Sequence, residues 1–426
     1  MRPAEASYAY DRVAYEKTRD AYPEGLPALP EIPGGRYYDE QFHALEMEHL
    51  WRKTWVVAGH ISQLPREGSF ITFERLGASV VIVRDKTGDI RAFHNVCRHR
   101  GAPLVLESSG RVPRFVCPYH SWSYGLDGGV LAVTCKEDFP AGTRGRSLLP
   151  VHCDVWHGMI FINLAENPSM TLAEHMAPLE GQIAGFPLEK LSVKRMRTVY
   201  ADCNWKAMLD NFYEGYHVAT IHQETVAEWL DTKAMAVDIF RNGHNRMCTT
   251  RKIFARIKEG ISDGVDGQNV AQASMPIVPD FADVFRDHTV GMATFPNNQA
   301  ALEPGGFPWQ AMWPVGPGRT VMDLWILGWD DLEIDPAVEN AYWDRYLADN
   351  ERIVSEDMHL LSAIQKSLEG GAFTGTMMGA QERGIYWYHE EIDRRIGVER
   401  IPENLRVEQV LAKHVVPDDM AATAPA

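Results

Sequence analysis

The chain has 426 residues, beyond the size at which one hydrophobic core usually stops growing, so two domains are expected. Its net charge of −16 disfavours nucleic acids and anionic membrane surfaces as partners, because clustered Lys and Arg normally bind both. The sequence lacks an apolar run near the ~20 residues that span a bilayer, and the N-terminus lacks a signal-peptide pattern. We therefore expect no membrane segment and a cytoplasmic protein.

Residues 1–36 contain five prolines and a Gly34-Gly35 pair, a composition that favours an extended arm. Such an arm would wrap the protein surface or a neighbouring subunit. Residues 39–55 are compatible with a helix that has Phe42, Leu45, Leu50 and Trp51 on its apolar positions. We expect residues 1–54 to form an arm and helix that pack on the C-terminal domain.

Residues 55–165 change to short β-branched or alternating runs, which predict strands at 70–73, 80–83, 90–93 and 159–164. Residues 85–89, Asp-Lys-Thr-Gly-Asp, have the composition of a hairpin turn. The segment therefore predicts a small antiparallel β domain.

Residues 166–426 mix helical and strand patterns, with long helices expected near 203–222 and 338–368. The chain as a whole is predicted to be α+β. Eight large apolar residues between 295 and 329 either line an apolar pocket or fill the core of a sheet. They are Phe295, Phe307, Trp309, Met312, Trp313, Met322, Trp325 and Trp329.

Two Cys-His pairs stand within the predicted β domain, Cys97-Arg98-His99 and Cys117-Pro118-Tyr119-His120. A [2Fe-2S] cluster with two thiolates on one iron and two imidazoles on the other needs one such pair from each of two loops. A Cys₂His₂ zinc site uses the same ligand types and is the alternative. The other four cysteines show no partner at ligand spacing, which favours packing roles.

A second group of ionisable residues lies in the predicted helix near 203–222. On a helix Asp210, Glu214 and His217 share one face, whereas His222 lies about 140° away from His217. Both histidines can bind one metal only if the helix ends or bulges between them. Two histidines and a carboxylate are the ligand set of a non-haem Fe(II) that keeps positions open for dioxygen.

The carboxylate of this set is expected on the predicted helix 338–368. Asp357 is the preferred candidate, because an acid on an apolar helical stripe needs a metal or another partner. Its stripe contains Ile353, Leu361, Ile364 and Leu368. Glu356 and His359 are weaker candidates.

With the flanking residues 100–103 and 121–124, these motifs resemble the catalytic α subunit of Rieske ring-hydroxylating oxygenases over nearly the whole chain. The resemblance implies a Rieske [2Fe-2S] domain at 55–165 and a larger helix-grip domain at 166–426 that holds one mononuclear Fe(II). It implies a homotrimer, with or without a small β subunit, in which Glu214 bridges His217 to His120 of the next subunit. Many members have Asp where this chain has Glu214. Ser121 and Tyr124 are placed to hydrogen-bond the cluster, and Asp210 orients the iron ligands, caps a helix or belongs to a core network.

The resemblance further implies a terminal oxygenase that uses O₂ and electrons from NAD(P)H. Ring dihydroxylation of an aromatic or other hydrophobic substrate is the preferred interpretation, and a monooxygenase or demethylase for a quaternary amine is the alternative. The chain has no dinucleotide-binding fingerprint, so we expect a separate ferredoxin or flavin reductase, whose docking surface could be the locally basic segment 86–120. A pure Rieske electron-transfer protein and a zinc-stabilised binding protein are the rival classes. A second metal site and about 260 further residues disfavour the electron carrier.

Overall fold

A computed structural model describes residues 1–139, 142–143, 145–252, 282–330 and 335–418. The chain divides into two compact units. The larger unit comprises Met1–Leu50, His175–Pro187 and Val193–Ala426, and the smaller comprises Trp51–Glu174 and Leu188–Ser192. Among the described helices, none is both long enough and apolar enough to cross a membrane.

The N-terminal segment begins with a helix, α1 (Pro3–Thr18), so the predicted extended arm is wrong over this range. Pro3 stands at the start of the helix, where its missing N–H costs nothing, and no other proline or glycine follows before Thr18. Ala9 and Val13 are buried, and α1 packs against the larger unit's sheet. The helix predicted for 39–55 is present as α2 (Glu40–Leu45), followed by a π-helical turn, Glu46–Trp51.

The strand pairs of the smaller unit are antiparallel, as predicted. A seven-stranded sheet has the order β2-β11-β10-β5-β4-β3-β6, and a three-stranded sheet has the order β7-β8-β9. The short β1 (Ile32–Pro33) precedes them in the larger unit. The strands are β2 (Val56–His60), β3 (Ser69–Arg75), β4 (Ala78–Arg84), β5 (Ile90–His94), β6 (Ser109–Arg111), β7 (Phe115–Val116), β8 (Ser123–Tyr124), β9 (Val130–Ala132), β10 (Pro150–Trp156) and β11 (Met159–Asn163).

The larger unit is built on a second seven-stranded antiparallel sheet of order β12-β18-β17-β16-β15-β14-β13. Its strands are β12 (Leu191–Ala201), β13 (Leu230–Ile239), β14 (Asn245–Arg251), β15 (His288–Thr294), β16 (Asn298–Leu302), β17 (Phe307–Gly316) and β18 (Arg319–Trp329), and β19 (Gly375–Thr376) pairs with β1. The helix α3 (Leu172–Met176) begins in the smaller unit and ends in the larger one. The later helices of the larger unit are α4 (Glu180–Ile183), α5 (Trp205–Phe212), α6 (Val218–Ile221), α7 (Asp283–Asp287), α8 (Pro336–Glu369) and α9 (Arg383–Ile396). Helices and antiparallel sheets together confirm the predicted α+β class.

Candidate metal centres

The two cluster loops of the smaller unit have the same backbone turn. The amide of Gly101 donates to the carbonyl of Cys97 at 3.0 Å, and the amide of Ser121 donates to the carbonyl of Cys117 at 3.0 Å. The fourth residue after each cysteine has a left-handed backbone, with φ of 81° at Gly101 and 59° at Ser121. Each loop therefore curls back on its own cysteine, and the histidine lies within that curl.

The four side chains of these loops come together at one edge of the smaller unit's core. Cys97 and Cys117 are buried, while the ring centroids of His99 and His120 lie 4.7 Å apart. The His99 ring stacks on Trp122 at 5.0 Å, and its Nδ1 atom is buried without a hydrogen-bond partner among the described residues. Burial, helped by His120, lowers the pKa of His99, which favours the neutral imidazole that a metal ligand must be.

Tyr124 adds a polar contact beneath the loops, as expected from its position. Its hydroxyl lies 3.3 Å from the Sγ atom of Cys97 and accepts a hydrogen bond from the Arg98 amide at 3.1 Å. A hydroxyl next to a ligating sulfur stabilises the more negative, reduced state of a cluster.

The spacing of the donors bears on the zinc alternative. One zinc ion would draw all four donor atoms close together, because its bonds are only about 2.0–2.3 Å long. Within the described ranges, the only group of three or more His, Cys, Asp or Glu donors lying within 4.8 Å of one another is His217, His222 and Asp357. The paired arrangement of Cys97, His99, Cys117 and His120 therefore fits a two-iron cluster better than a single ion.

The second centre lies where the predicted helix 203–222 is broken. α5 ends at Phe212, and α6 begins only after His217, so one continuous helix is wrong, as is the shared face of Asp210, Glu214 and His217. The Glu214 carboxylate accepts hydrogen bonds from the backbone amides of Tyr216 and His217. These bonds stabilise the turn between α5 and α6. His217 precedes the single turn of α6 and His222 follows it, so the two rings can approach each other.

The donor atoms of this centre converge. Nε2 of His222 lies 3.1 Å, and Nε2 of His217 3.7 Å, from the same Oδ1 atom of Asp357 on α8. That oxygen is buried and has no hydrogen-bond partner of good geometry among the described residues. A buried, unsatisfied carboxylate oxygen facing two imidazole nitrogens is the arrangement that a divalent metal completes.

The Nδ1 atoms of His217 and His222, which lie on the ring side away from Asp357, contact carboxylates. Nδ1 of His217 contacts Glu214, and Nδ1 of His222 lies 2.7 Å from Glu356, which also accepts from the Thr225 hydroxyl at 2.8 Å. Such contacts turn Nε2 of each ring toward a metal. Although burial lowers the pKa of His222, its two carboxylate neighbours outweigh that effect and raise it.

This geometry decides between Asp357 and the weaker candidate ligands on α8, Glu356 and His359. Glu356 contacts the far side of the His222 ring, so it is placed to orient a ligand, and His359 is exposed. Asp357 lies on the buried stripe as predicted, although Ile364 of the expected stripe is 47% exposed. The stripe that the fold buries contains Val354, Asp357, Leu361, Gln365 and Leu368.

Asp210 lies away from these donors. Its Oδ2 atom accepts from the Tyr37 hydroxyl at 2.7 Å, and its enclosed Oδ1 atom lies 3.6 Å from Nε2 of His389. Burial raises the pKa of Asp210 to about 7. Of the three roles considered, the contacts with Tyr37 and His389 favour the core network.

A cavity adjoins the second centre between α8 and the inner face of the sheet. Four carboxylates line it, those of Glu214, Glu303, Asp349 and Asp357, against one guanidinium, that of Arg345. None of the eight apolar residues considered between 295 and 329 lines it, and all eight are buried, so core packing is their role. On β17, Pro308 and Gln310 face the cavity, and by alternation Phe307, Trp309 and Trp313 lie on the other face.

Comparison with known proteins adds two family matches. Residues 54–145 match the Rieske [2Fe-2S] domain, and residues 188–398 match the ring hydroxylating alpha subunit (catalytic domain). Together these matches cover more than two thirds of the chain.

Curated relatives match over a shorter range. The glycine betaine monooxygenase oxygenase subunit of Pseudomonas aeruginosa is 34% identical over 203 residues, which cover 47% of each chain. The carnitine monooxygenase oxygenase subunit of Escherichia coli K12 is 32% identical over 209 residues, which cover 47% of this chain and 55% of that protein. The chain thus spans about half the length of the curated relatives it matches.

Among solved structures, a quaternary ammonium Rieske monooxygenase has a TM-score of 0.72 at 22% identity. The match covers 88% of this chain and 99% of that one. At this identity the likeness supports the fold alone.

Proposed function

Since the chain belongs to the family of Rieske ring-hydroxylating oxygenase α subunits, we propose that it is a monooxygenase acting on a quaternary amine. The sequence alone favoured dihydroxylation of an aromatic ring. Curated relatives that match in sequence are named for glycine betaine and carnitine, which favours the alternative interpretation.

The charge of the cavity is the observation that carries this proposal. A quaternary ammonium cannot donate hydrogen bonds, so a protein holds it with negative charge and with aromatic or apolar faces. Apart from Asp357, which is assigned to the metal, three carboxylates (Glu214, Glu303 and Asp349) face one guanidinium (Arg345) in the lining, and Phe212, Trp229, Tyr342 and Tyr346 add aromatic surface. An aromatic hydrocarbon would gain nothing from these carboxylates, whose desolvation it could not offset.

We assign the metal-binding roles as part of the same proposal. The cluster ligands are Cys97, His99, Cys117 and His120, and the mononuclear iron ligands are His217, His222 and Asp357. Bound iron supplies dioxygen activation, and the cluster supplies electrons. The chain's own residues orient the ligands through Glu214 and Glu356 and hold the amine. In the overall reaction one oxygen atom enters a C–H bond beside nitrogen and the other leaves as water, with two electrons and two protons consumed.

The quaternary arrangement and the electron donor remain proposals drawn from the resemblance. They include a homotrimer, a ferredoxin or flavin reductase as donor, and a bridge from Glu214 to His120 of the neighbouring subunit. The contact between the Glu214 side chain and His217 supports the proposed bridge. The domain limits 1–54, 55–165 and 166–426 are proposed on the same basis.

Oxygen uptake with a reconstituted donor tests the proposed reaction. We expect quaternary amines to yield demethylated or hydroxylated products in proportion to the oxygen consumed, with formaldehyde where a methyl group is lost. Naphthalene serves as the comparison substrate, and a cis-diol from it, without turnover of any amine, would contradict the proposal. A Cys135→Ser variant is the matched control, because this exposed cysteine is assigned no role in either centre.

Metal analysis separates the rival classes. An oxygenase should hold about three irons and two sulfides per chain, an electron carrier about two of each, and a zinc protein neither.

A further inference from the structure

Two glutamines lie side by side on the face of the sheet that lines the cavity. Gln299 on β16 and Gln310 on β17 are directly paired across the two strands, and both line the cavity. Directly paired residues have Cβ atoms about 4.5–5.5 Å apart, so the two amides can contact one ligand group together. The residues are only 8% and 3% exposed, so any partner of these amides must come from the protein or from the cavity.

Neither amide finds a partner within the described part of the chain. Oε1 of Gln299 is enclosed and has no hydrogen-bond partner there, and the Gln310 amide makes no hydrogen bond to those residues either. The strand neighbours of the pair on the same sheet face are apolar and cannot supply one. They are Ala293, Ala301, Pro308, Met312 and Leu324. Since buried polar groups are normally hydrogen-bonded, the pair requires a partner inside the cavity.

The pair lies at the end of the cavity where the metal ligands converge. The Tyr213 hydroxyl donates to the carbonyl of Asn298 at 3.2 Å, which places the start of β16 against the end of α5. Tyr213 directly precedes Glu214, whose carboxylate contacts His217. A ligand group held by the two amides is therefore close to the reacting end of a bound substrate.

The charges around the pair favour an uncharged ligand group. Three charged lining residues lie about 12 Å or more from Gln299 or Asp357, measured along their own strand or helix. They are Glu303, Arg345 and Asp349. Asp357 is assigned to the metal, which leaves the anionic Glu214 beside the pair, and its charge disfavours a carboxylate. A hydroxyl suits two amides, because it can donate to the oxygen of one and accept from the nitrogen of the other.

We propose that Gln299 and Gln310 are specificity-determining residues that together bind one hydroxyl group of the substrate. This inference rests on the proposed function and adds a second recognition element to it. The carboxylates and aromatic rings hold the ammonium, and the amide pair holds an uncharged group a few bonds away. An ammonium without such a group leaves both amides without a partner, so it binds less tightly.

Equilibrium binding to the full holoenzyme without oxygen tests this directly. The probes share one trimethylammonium group and differ only in the fourth substituent, which is 2-hydroxyethyl, ethyl or carboxymethyl. Calorimetry gives the Kd of each. We expect the hydroxyethyl probe to bind about tenfold more tightly than the ethyl probe, which is equivalent to about 1.4 kcal/mol.

Three variants separate recognition from structure. Gln299→Met and Gln310→Met each remove one amide at nearly constant side-chain length. Each should reduce the preference for the hydroxyethyl probe to about threefold or less and leave the Kd of the ethyl probe unchanged, whereas damage to the fold would weaken both probes. Gln41→Met makes the same exchange at an exposed position of α2 outside the cavity and should change nothing.

Equal Kd values for the hydroxyethyl and ethyl probes, or a full preference retained in both cavity variants, would overturn the inference while amine turnover continues. A loss of affinity confined to the carboxymethyl probe would also overturn it, because the amides would then bind a carboxylate. Failure of every amine to bind and turn over in the unsubstituted enzyme would instead overturn the proposed function.

Discussion

The two candidate metal centres are assembled in different ways. The cluster loops take their donors from two short segments whose backbone turns have the same hydrogen bond and the same left-handed fourth residue. The second centre takes two donors from the ends of α6 and one from α8, which lies far along the chain. Local turns therefore position the first set, and tertiary packing positions the second. The second centre should accordingly depend more on residues that are not ligands.

Loss of Asp357 should give the largest effect, and it should affect the second centre but not the cluster. Asp357→Ala removes the only carboxylate among the converging donors, so we expect loss of the mononuclear iron and turnover below about one hundredth of the original. The cluster spectrum should persist, because its donors lie in other loops. Iron analysis and visible spectroscopy check both statements, and retention of about three irons per chain would refute the assignment. Glu351→Ala on the same helix is the control, since Glu351 pairs only with Arg197 in the described contacts.

Glu356 tests whether tertiary support matters at the second centre. Glu356→Gln weakens the acceptor of His222 Nδ1 without changing side-chain size, so metal affinity should fall about 10–100-fold. Competition with a chelator measures this. Glu351→Gln should leave the affinity unchanged, and equal affinities in the two variants would mean that the contact does not orient the ring.

The pH dependence of stability tests the larger unit by itself, because the hydrogen-bond network of Asp210 belongs to that unit. Its pKa is about 7 in the folded protein against 3.8 ordinarily, so between these values the folded state binds the additional proton. The stability associated with this group is therefore complete below about pH 4 and is lost as pH rises through 7. Between pH 5 and 7 the free energy of unfolding should fall less steeply with pH in Asp210→Asn, by up to about 1 kcal/mol per pH unit. Thermal unfolding measures this difference. An unaltered pH profile would show that the Asp210 carboxyl is not enclosed in solution.

Tyr124 gives the smallest expected effect and concerns only the cluster loops. Tyr124→Phe removes a hydroxyl 3.3 Å from the Cys97 sulfur, which should lower the cluster midpoint potential by about 40 mV, the equivalent of roughly 1 kcal/mol. Tyr119→Phe is the control, because that ring is 58% exposed. Equal potentials for the two variants would exclude a contribution from the hydroxyl.

The contrast between the centres also explains which site residues could be predicted from the sequence. Cys97, His99, Cys117 and His120 could be proposed as a set because their spacing alone suits two loops. Asp357 could be chosen because an acid interrupts an apolar stripe, even though Ile364 proved exposed. The role of Glu356 beside His222 could not be predicted, since it depends on how α8 packs against the end of α6.

One wrong prediction and one alternative that the sequence left open have local causes. The prolines between 23 and 33 dominated the composition of residues 1–36, although residues 4–18 contain neither proline nor glycine and form most of α1. The large apolar residues of β17 could not be assigned to core or cavity before the strand's facing was known, and Pro308 and Gln310 carried no distinguishing signal.

The length of α8 has a consequence for how this protein can diversify. One continuous helix bears Asp357 and seven other residues that line the cavity, between Tyr342 and Val354. Inserting one residue between Asn350 and Asp357 would rotate the lining residues from Tyr342 to Asn350 by about 100° relative to the ligand and turn them out of the cavity. New selectivity must therefore arise by replacing side chains at fixed positions, and homologous sequences should align through this helix without gaps.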